Sequence, residues 1–361
     1  MRTMLATMYY GPMDIRLEQH PIPRPEAGEA LVQVAAATTC GTDVKTYRRG
    51  HPLLFPHTPA GFGHEVAGKI AAVGTGIHQF HEGDAVVVAN SAPCRSCFYC
   101  RRGQESLCEN LLFLNGAYAE YLLVPERIVR YNLHRLPPET SFVAAALTEP
   151  LACALHGIDA SGITAGDTVV ILGSGPLGLL LVALAKLRGA CVIVTGRGKE
   201  RLALAHHFGA DIVIDVATLS VPEQLDAVRT KTEAQRGADI VIEAIGMPET
   251  WELAGRLARP GGLVNFFGGC PSGTQVRLET RPIHYGELTI KGVFHHTPTY
   301  FAQALDLIVT HQIDVEALIT ACVPLASTID VFHRLLQKQG VKYALIPPAF
   351  AQEYALPEVP E

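Results

Sequence analysis

From residue 167 onward, continuous apolar runs alternate with longer amphipathic segments. TVVILG (168–173) precedes LGLLLVALAKLRGA (177–190), and CVIVTG (191–196) precedes KERLALAHHFGA (199–210). The later runs DIVID, DIVIEAIG and GGLVNFFGG are separated by predicted helices over about 222–235 and 248–259. Buried strands that alternate with helices are typical of a parallel sheet covered on both faces. The pattern predicts a doubly wound α/β domain.

The segments on either side of this domain follow a different pattern. Residues 1–152 are rich in Gly and Pro and contain short stretches such as EALVQVAAAT and DAVVVAN, which are typical of a turn-rich β domain. Residues 293–361 contain a helical stretch, YFAQALDLIVTHQ, and then return to short strand-like segments. We expect them to rejoin the first domain, with residues 153–292 inserted as the α/β domain.

Composition narrows the class of protein. The 361 residues suit about two domains, and 48% hydrophobic with 18% charged residues indicates a globular chain. A net charge of −6 and the lack of a long basic run argue against a nucleic-acid or anionic-membrane partner. The first twenty residues lack an apolar signal segment, and the most apolar run is interrupted by Lys186, far short of the ~20 residues of a membrane span. We expect a cytoplasmic protein.

The nine cysteines are distributed unevenly. Four of them follow the spacing C-x2-C-x2-C-x7-C: Cys94, Cys97, Cys100 and Cys108. In a cytosolic chain such a cluster indicates a metal before a disulfide. Four thiolates would hold one tetrahedral ion with no open position, so the ion would be structural, and zinc is the first choice. The spacing alone does not exclude an iron–sulfur cluster.

A glycine-rich turn follows the first strand of the predicted α/β domain. GSGPLG fits G-x-G-x-x-G, follows the strand VVILG and opens a helix, which is the context that a dinucleotide-binding turn requires. Its backbone N–H groups and the helix N-terminus favour a pyrophosphate. The candidate cofactor-binding residues here are Gly173, Gly175, Pro176, Leu177 and Gly178.

The end of the second strand indicates which cofactor. An Asp or Glu there would bind the ribose 2′-hydroxyl of NAD, but this chain has Gly196, followed by Arg197 and, one helical turn later, Arg201. A glycine leaves space, and a guanidinium offers two donors to a 2′-phosphate. We favour NADP, with NAD as the alternative.

Four further residues have zinc-ligand chemistry but are far apart in the chain. Cys40 lies in CGTD, His64 and Glu65 lie in GFGHEVAG, and Glu149 lies in TEPLACALHG. One thiolate, one imidazole and carboxylates can hold a zinc ion and leave room for water or substrate. Taken singly, each is as easily a packing or hydrogen-bonding residue, and their spacing does not join them.

Taken together, these motifs resemble the zinc-dependent medium-chain dehydrogenases, the family of alcohol, polyol and threonine dehydrogenases. The resemblance runs over essentially the whole chain in family order: CGTD, GHE, the four-cysteine loop, EPLA, GSGPLG and a returning tail. It implies a GroES-like β-rich catalytic domain carrying a structural-zinc lobe at about 90–110, a Rossmann domain inserted in it, and an active site in the cleft between the two domains.

The resemblance also implies roles for single residues. Cys40 and His64 match catalytic zinc ligands, and Glu65 matches a carboxylate that ligates zinc in polyol-type members or exchanges with water. Glu149 stands where polyol and threonine dehydrogenases carry Glu and alcohol dehydrogenases carry Cys. Asp43 matches an acid that orients the histidine ligand. The four cysteines from Cys94 to Cys108 match the structural-zinc site.

The proton relay departs from many relatives. Thr42 matches the hydroxyl that takes the alcohol proton, but Lys45 stands where a relay histidine often follows. A lysine would accept the proton only with a lowered pKa. We therefore interpret Lys45 as a surface residue, with His51 or water completing the relay.

The implied activity is hydride transfer between a polyol or secondary alcohol, or the matching ketone or aldehyde, and a nicotinamide cofactor. The alternatives are a threonine- or simple-alcohol-type enzyme that uses NAD, a zinc-independent quinone reductase, and a non-catalytic nucleotide sensor on the same fold. Neither of the last two needs the full set of candidate zinc ligands present here. The family also implies a homodimer or homotetramer that pairs near LTIKGVF.

Two aromatic features in the later part of the chain remain. Trp251 lies in a predicted helix of the α/β domain, where we expect it to pack. The pair His295 and His296 lies at the return to the catalytic domain, where a hinge or packing role is at least as well supported as a place in the cleft.

Overall fold

The computed structural model describes residues 2–52 and 54–356 of the chain. Two compact units divide it: one contains the residues up to Ala152 and those from His296 on, and the other is Cys153–His295. The sequence pattern put the second boundary at Val293. Within the described ranges, no helix is long and apolar enough to cross a membrane.

Short strands dominate the first unit up to residue 152. They are β1 (Thr3–Gly11), β2 (Asp14–Pro21), β3 (Ala30–Thr38), β4 (Ala60–Gly61), β5 (Glu65–Val73), β6 (Ala85–Val88), β7 (Ser91–Ala92), β8 (Leu112–Phe113), β9 (Tyr121–Val124) and β10 (Leu133–Arg135). The helices in this part are α1 (Gly41–Arg49), α2 (Phe98–Arg101), α3 (Glu126–Tyr131), α4 (Phe142–Ala146) and α5 (Thr148–Ser161), which continues past Ala152.

The second unit is the doubly wound domain that the apolar runs predict. Its strands are β11 (Thr168–Leu172), β12 (Cys191–Gly196), β13 (Ile212–Asp215), β14 (Ala238–Glu243), β15 (Ala258–Phe266) and β16 (Thr289–Gly292). They pair in parallel in the order β13-β12-β11-β14-β15-β16. The helices are α6 (Pro176–Leu187), α7 (Lys199–His207), α8 (Val221–Arg229), α9 (Pro248–Leu257) and α10 (Thr280–His284). The predicted Rossmann fold is confirmed.

The helix predicted over 222–235 is wrong at its C-terminal end. It begins with a capping box between Ser220 and Glu223 but ends at Arg229. A short 3-10 turn follows at Glu233–Gln235, in which Ala234 has a φ of 49°. A residue in the left-handed region cannot continue a right-handed helix, so the polar run TKTEAQR forms a turn rather than two more helical turns.

The returning segment completes the sheet of the first unit. It contains α11 (Pro298–Val309), β17 (Ile319–Pro324), α12 (Thr328–Leu336) and β18 (Lys342–Ile346). The sheet order is β10-β6-β5-β3-β18-β17, with β9 also paired to β3. Because β3 lies between β5 and β18, the residues at its C-terminal end meet residues from two distant parts of the chain.

Each unit has its own apolar core. In the first unit the inward faces of β3, β5 and β6 supply buried valines such as Val32, Val66 and Val88. In the second unit the core lies between the parallel strands and their helices. There Trp251 of α9 stacks on Phe266 with ring centroids 4.0 Å apart, and its indole N–H donates to the Gly268 carbonyl at 2.9 Å. Trp251 therefore packs, as the sequence predicted.

Candidate functional site

The pairing of β3 with β5 brings three of the predicted zinc ligands together. Thr38 pairs with Glu65 at the end of the β3–β5 ladder, and Cys40 follows Thr38 as the N-cap of α1. Ligand atoms of Cys40, His64 and Glu65 all lie within 4.8 Å of one another. A thiolate, an imidazole and a carboxylate at this separation have the donor chemistry and spacing of a zinc site, so the residues fit the metal.

A hydrogen bond to Asp43 holds the imidazole of His64 in one orientation. Its Nδ1 lies 3.0 Å from Asp43 Oδ1, and the other oxygen of Asp43 accepts from the Tyr118 hydroxyl at 2.5 Å. With Nδ1 engaged, Nε2 is the nitrogen left for a metal. All three side chains are buried. Burial opposes a charged imidazole, but the Asp43 carboxylate and then the Cys40 sulfur raise the pKa of His64 well above its usual value.

Glu65 has a buried cation beside it. Lys342 Nζ, from the first residue of β18, lies 2.8 Å from Oε1 and 2.5 Å from Oε2, and it also donates to the Thr39 carbonyl at 2.5 Å. The Thr38 hydroxyl donates to Glu65 Oε2 as well. Glu65 and Lys342 are essentially inaccessible to solvent. Burial opposes the charged ammonium, but the Glu65 carboxylate beside it raises the pKa of Lys342.

The fourth candidate, Glu149, lies outside this group of three. It is in the first turn of α5, is buried, and accepts from the side-chain amide of Asn90 at 3.0 Å. After the larger effect of Glu65, its negative charge also helps to raise the pKa of Lys342.

The predicted relay residues lie on and after α1. The Thr42 backbone N–H donates to Cys40 Sγ at 3.3 Å, and the Thr42 residue is half-buried. Lys45 is exposed. His51 is half-buried, and its Nδ1 accepts from the Leu54 N–H at 3.3 Å. Burial lowers the pKa of His51, which favours its neutral imidazole.

The four clustered cysteines form a second candidate metal centre. The sulfur atoms of Cys94, Cys97, Cys100 and Cys108 all lie within 4.8 Å of one another, and none of these four forms a disulfide. Backbone N–H groups of Cys94 and Asn110 donate to Cys108 Sγ at 3.2 and 3.4 Å. Backbone N–H···S bonds of this kind stabilise thiolate ligands.

The electrostatics of this cluster favour a bound cation. Hydrogen bonds from Ser96 lower the pKa of Cys94 to about 6. Burial, with the neighbouring sulfurs, raises the pKa of Cys100 to about 12. Four sulfurs so close together cannot all be thiolates by themselves, because each negative charge opposes the next. A divalent ion removes that repulsion, so these residues fit a structural zinc site.

In the second unit, the GSGPLG turn has the geometry that a dinucleotide needs. Gly175 is the N-cap of α6, and a Cβ built there meets no atom within 4 Å, so open space lies against the helix N-terminus. A Cβ on Gly178 would lie 1.9 Å from the Gly173 carbonyl oxygen, so only glycine lets helix and turn pack this closely. The residues between them, Pro176 and Leu177, form the first turn of α6. The turn fits a bound pyrophosphate.

The end of β12 accounts for the missing carboxylate. Gly196 is buried, and a Cβ there would lie 2.1 Å from Ser174 Oγ and 2.5 Å from Ser174 Cβ. No side chain fits at this position without displacing the phosphate turn. Arg197 follows it and is exposed, while Arg201 in the first turn of α7 is half-buried, which lowers its pKa.

Several polar residues near the candidate zinc ligands were not predicted from the sequence: Lys342, Thr38, Tyr118, Asn90, and His296 as a partner of Asn90. Lys342 carried a signal, since it begins the fully buried strand KYALI and lysine is almost never buried without a counter-charge. Asn90 and His296 carried none, because their contact joins positions 206 residues apart.

Comparison with known proteins agrees with this fold. Residues 26–137 match the family model described as alcohol dehydrogenase GroES-like domain, and residues 176–310 match zinc-binding dehydrogenase. Sorbitol dehydrogenase of Bacillus subtilis is 32% identical, with 93% of this chain and 94% of that protein covered. D-xylulose reductase A of Aspergillus oryzae is 29% identical, with 94% and 95% covered.

A solved structure is similar over the whole fold. A zinc-binding dehydrogenase from Sinorhizobium meliloti, solved bound to NADP, has a TM-score of 0.87 and 33% identity. The similarity covers 96% of this chain and 100% of that one.

Proposed function

The chain belongs to the zinc-dependent medium-chain dehydrogenases and is an alcohol or polyol dehydrogenase, and on that premise we propose that it interconverts a polyol and its ketose with NADP. The observation that carries this proposal is the joint presence of the Cys40, His64 and Glu65 cluster and of a dinucleotide turn whose neighbouring strand ends in Gly196.

In this proposal Cys40, His64 and one carboxylate, Glu65 or Glu149, hold the catalytic zinc. The cysteines from Cys94 to Cys108 hold a structural zinc. When bound, the catalytic zinc acts as a Lewis acid on the substrate oxygen. Both sites need reduced thiols, which supports the expectation of a cytoplasmic location.

The chain itself supplies positioning and proton transfer. The Thr42 hydroxyl accepts the proton of the substrate alcohol and passes it to His51 or water, while Lys45 stays a surface residue. Asp43 keeps His64 in the tautomer that leaves Nε2 for the metal. The GSGPLG turn and the N-terminus of α6 bind the pyrophosphate, and the nicotinamide, when bound, supplies the hydride acceptor or donor.

The preference for NADP is supported by three features of the second unit. Gly196 has no carboxylate to repel a 2′-phosphate, Arg197 is exposed directly after it, and Arg201 is one turn further on. The S. meliloti relative was solved with NADP. NAD remains the alternative cofactor, paired with threonine- or simple-alcohol-type chemistry.

A polyol substrate is supported by Glu149 in place of a cysteine and by the names of the relatives, sorbitol dehydrogenase and D-xylulose reductase. A non-catalytic nucleotide sensor is disfavoured because such a protein has no need for a thiolate, an imidazole and a carboxylate within 4.8 Å of one another.

We also propose a homodimer or homotetramer. The edge strand β16 has an open side, and the large apolar residues Tyr285 and Phe294 on either side of it are 81% and 49% exposed. An open, partly apolar strand edge favours pairing with a second copy. Light scattering measures the mass of the assembly that the purified protein forms. The substitution Thr289→Pro, at the first residue of β16, should lower that mass.

The proposal is tested by titrating the zinc-loaded protein with NADPH and NADH and following nicotinamide fluorescence. We expect tighter binding of NADPH and a loss of that preference in Arg197→Ala. Arg236→Ala is the matched control, because Arg236 is an exposed arginine that precedes the amino end of β14, whereas dinucleotides bind at the carboxyl ends of such strands. Tighter binding of NADH would redirect the assay to NAD-linked oxidation, and binding of neither would contradict the dehydrogenase function.

A further inference from the structure

A buried chain of polar side chains ends on the Glu149 carboxylate. Asn90 Nδ2 lies 3.0 Å from Glu149 Oε1, and His296 Nε2 lies 2.9 Å from Asn90 Oδ1. Glu149 is 6% exposed, Asn90 is 8% exposed and His296 is 1% exposed. They come from the start of α5, from the loop after β6 and from the residue before the N-cap of α11, so three separate segments meet at this carboxylate.

The chemistry of these groups fixes the direction of the hydrogen bonds. A carboxylate only accepts, so the amide of Asn90 must present its Nδ2 to Glu149. Its Oδ1 then faces His296, and because that oxygen only accepts, His296 must carry a proton on Nε2. The imidazole thus holds the amide in the orientation that donates to Glu149.

A second chain of the same composition also contacts Phe301. Both His296 and His134 have ring centroids 5.4 Å from that of Phe301. His134 Nε2 lies 3.2 Å from Asn132 Oδ1, and Asn132 Nδ2 donates to the Ser91 carbonyl at 2.9 Å. The two histidine–asparagine pairs differ in where they end: one on a backbone oxygen, the other on a candidate metal-site carboxylate.

We propose that Asn90 and His296 are positioning residues for the reaction: they hold the Glu149 carboxylate in the orientation it takes at the catalytic zinc. This inference rests on the proposed function of the site. Asn90 fixes Oε1 of Glu149, and His296 prevents the Asn90 amide from turning its oxygen toward the carboxylate. Neither residue needs to contact the substrate.

The physical reason is the position of Glu149 in the interior. A buried carboxylate needs donors, and hydrogen bonds to a charged group are the stronger ones. Without Nδ2 of Asn90, Oε1 of Glu149 loses a hydrogen bond in the interior, and the carboxylate can turn about its side-chain torsions toward the metal. The number or orientation of oxygen ligands at the metal then changes, although the metal-binding residues are intact.

The test uses the holoenzyme in which cobalt(II) replaces zinc. The visible absorption bands of cobalt(II) report its ligand set independently of turnover. Asn90→Leu should shift those bands and lower kcat/KM about tenfold or more, the size expected for a hydrogen bond to a charged group. His296→Leu should shift the bands the same way with a smaller loss. His296→Gln keeps an N–H donor at the same place and should restore the spectrum.

The matched control is His134→Leu. It removes a half-buried histidine that also contacts the Phe301 ring and bonds to an asparagine, but whose chain ends on the Ser91 carbonyl and not on Glu149. We expect an unchanged cobalt spectrum and less than a twofold change in kcat/KM. If His296→Leu and Asn90→Leu behave like His134→Leu, the inference is wrong.

Failure of this inference and failure of the proposed function give different results. If the wild-type protein binds cobalt at the Cys40 site and turns over an alcohol, while the Asn90 and His296 variants keep its spectrum and rate, only the positioning role is lost. If Cys40→Ser has the same cobalt spectrum as the wild-type protein, and the wild-type protein oxidises no alcohol, the proposed function itself fails. A spectral shift in Asn90→Leu that His296→Gln does not show supports the inference.

Discussion

Replacing Lys342 by methionine removes the buried cation from beside Glu65. The ammonium makes three contacts of 2.5 to 2.8 Å, two with the Glu65 carboxylate and one with the Thr39 carbonyl. Both charged side chains are at most 2% exposed. Removing one partner of a buried pair leaves the other charge uncompensated and costs about 3–5 kcal/mol. We expect a loss of that size in metal-free protein.

The assay is thermal unfolding of Lys342→Met, Glu65→Gln and the double variant. For a domain of 150–250 residues each kcal/mol lowers Tm by about 2–4 °C, so Lys342→Met should lose about 6–20 °C. The double variant should lose less than the sum of the two single losses, because it leaves no unpaired charge. Lys342→Met should lower the Tm less in zinc-loaded protein than in protein treated with a chelator, because the metal supplies a second cation near Glu65.

The pH dependence checks the same reasoning. The folded-state pKa of Lys342 is raised, so its contribution to stability is fully present below the unfolded lysine pKa of about 10.4 and is lost as pH rises through the folded value. The difference in Tm between wild type and Lys342→Met should therefore be constant between pH 6 and about 9. A loss under about 1 kcal/mol, or strict additivity in the double variant, would refute a buried ion pair.

Three further predictions follow from other parts of the structure. Cys108→Ser should reduce bound zinc from about two to about one per chain by metal analysis and raise hydrogen exchange over residues 94–110, without abolishing NADPH binding. Gly196→Ala should weaken the binding of both NADPH and NADH in fluorescence titrations, because the added Cβ collides with Ser174. Burial raises the pKa of Tyr354 to about 12, so wild type should lose Tm as pH rises from about 10 toward 12, and Tyr354→Phe should lose less.

The parallel sheet of the second unit was predictable because each strand is a short apolar run bounded by glycine or a charge. TVVILG and CVIVTG correspond to β11 and β12 with an offset of at most one residue. The ends of helices were less predictable where a polar sequence continues past the last buried position, as it does after Arg229. There the left-handed backbone at Ala234 prevents a helix from reaching residue 235, and the sequence has no glycine at that position to signal it.

The candidate zinc site was predictable only in its chemistry. Cys40, His64 and Glu65 are joined by the register of β3 on β5, and a strand register over such a separation depends on the whole sheet. Periodicity and spacing do not contain that information. The resemblance to a family supplied it, because the motifs occur in a fixed order along the chain.

Asp43, which orients His64, was predicted from the resemblance, but the groups that hold the two carboxylates of the site were not. Motifs name the atoms that would contact a metal, but the behaviour of those atoms depends on what lies behind them. Here one carboxylate, Glu65, is paired with Lys342, and the other, Glu149, is held by Asn90 and His296. Glu65 accepts from the Lys342 ammonium and the Thr38 hydroxyl, whereas Glu149 accepts from the neutral amide of Asn90. The two acids therefore differ in what holds them, a cation and a hydroxyl in one case and an amide in the other, and the cobalt spectra of the Asn90 and His296 variants test whether the amide positions Glu149.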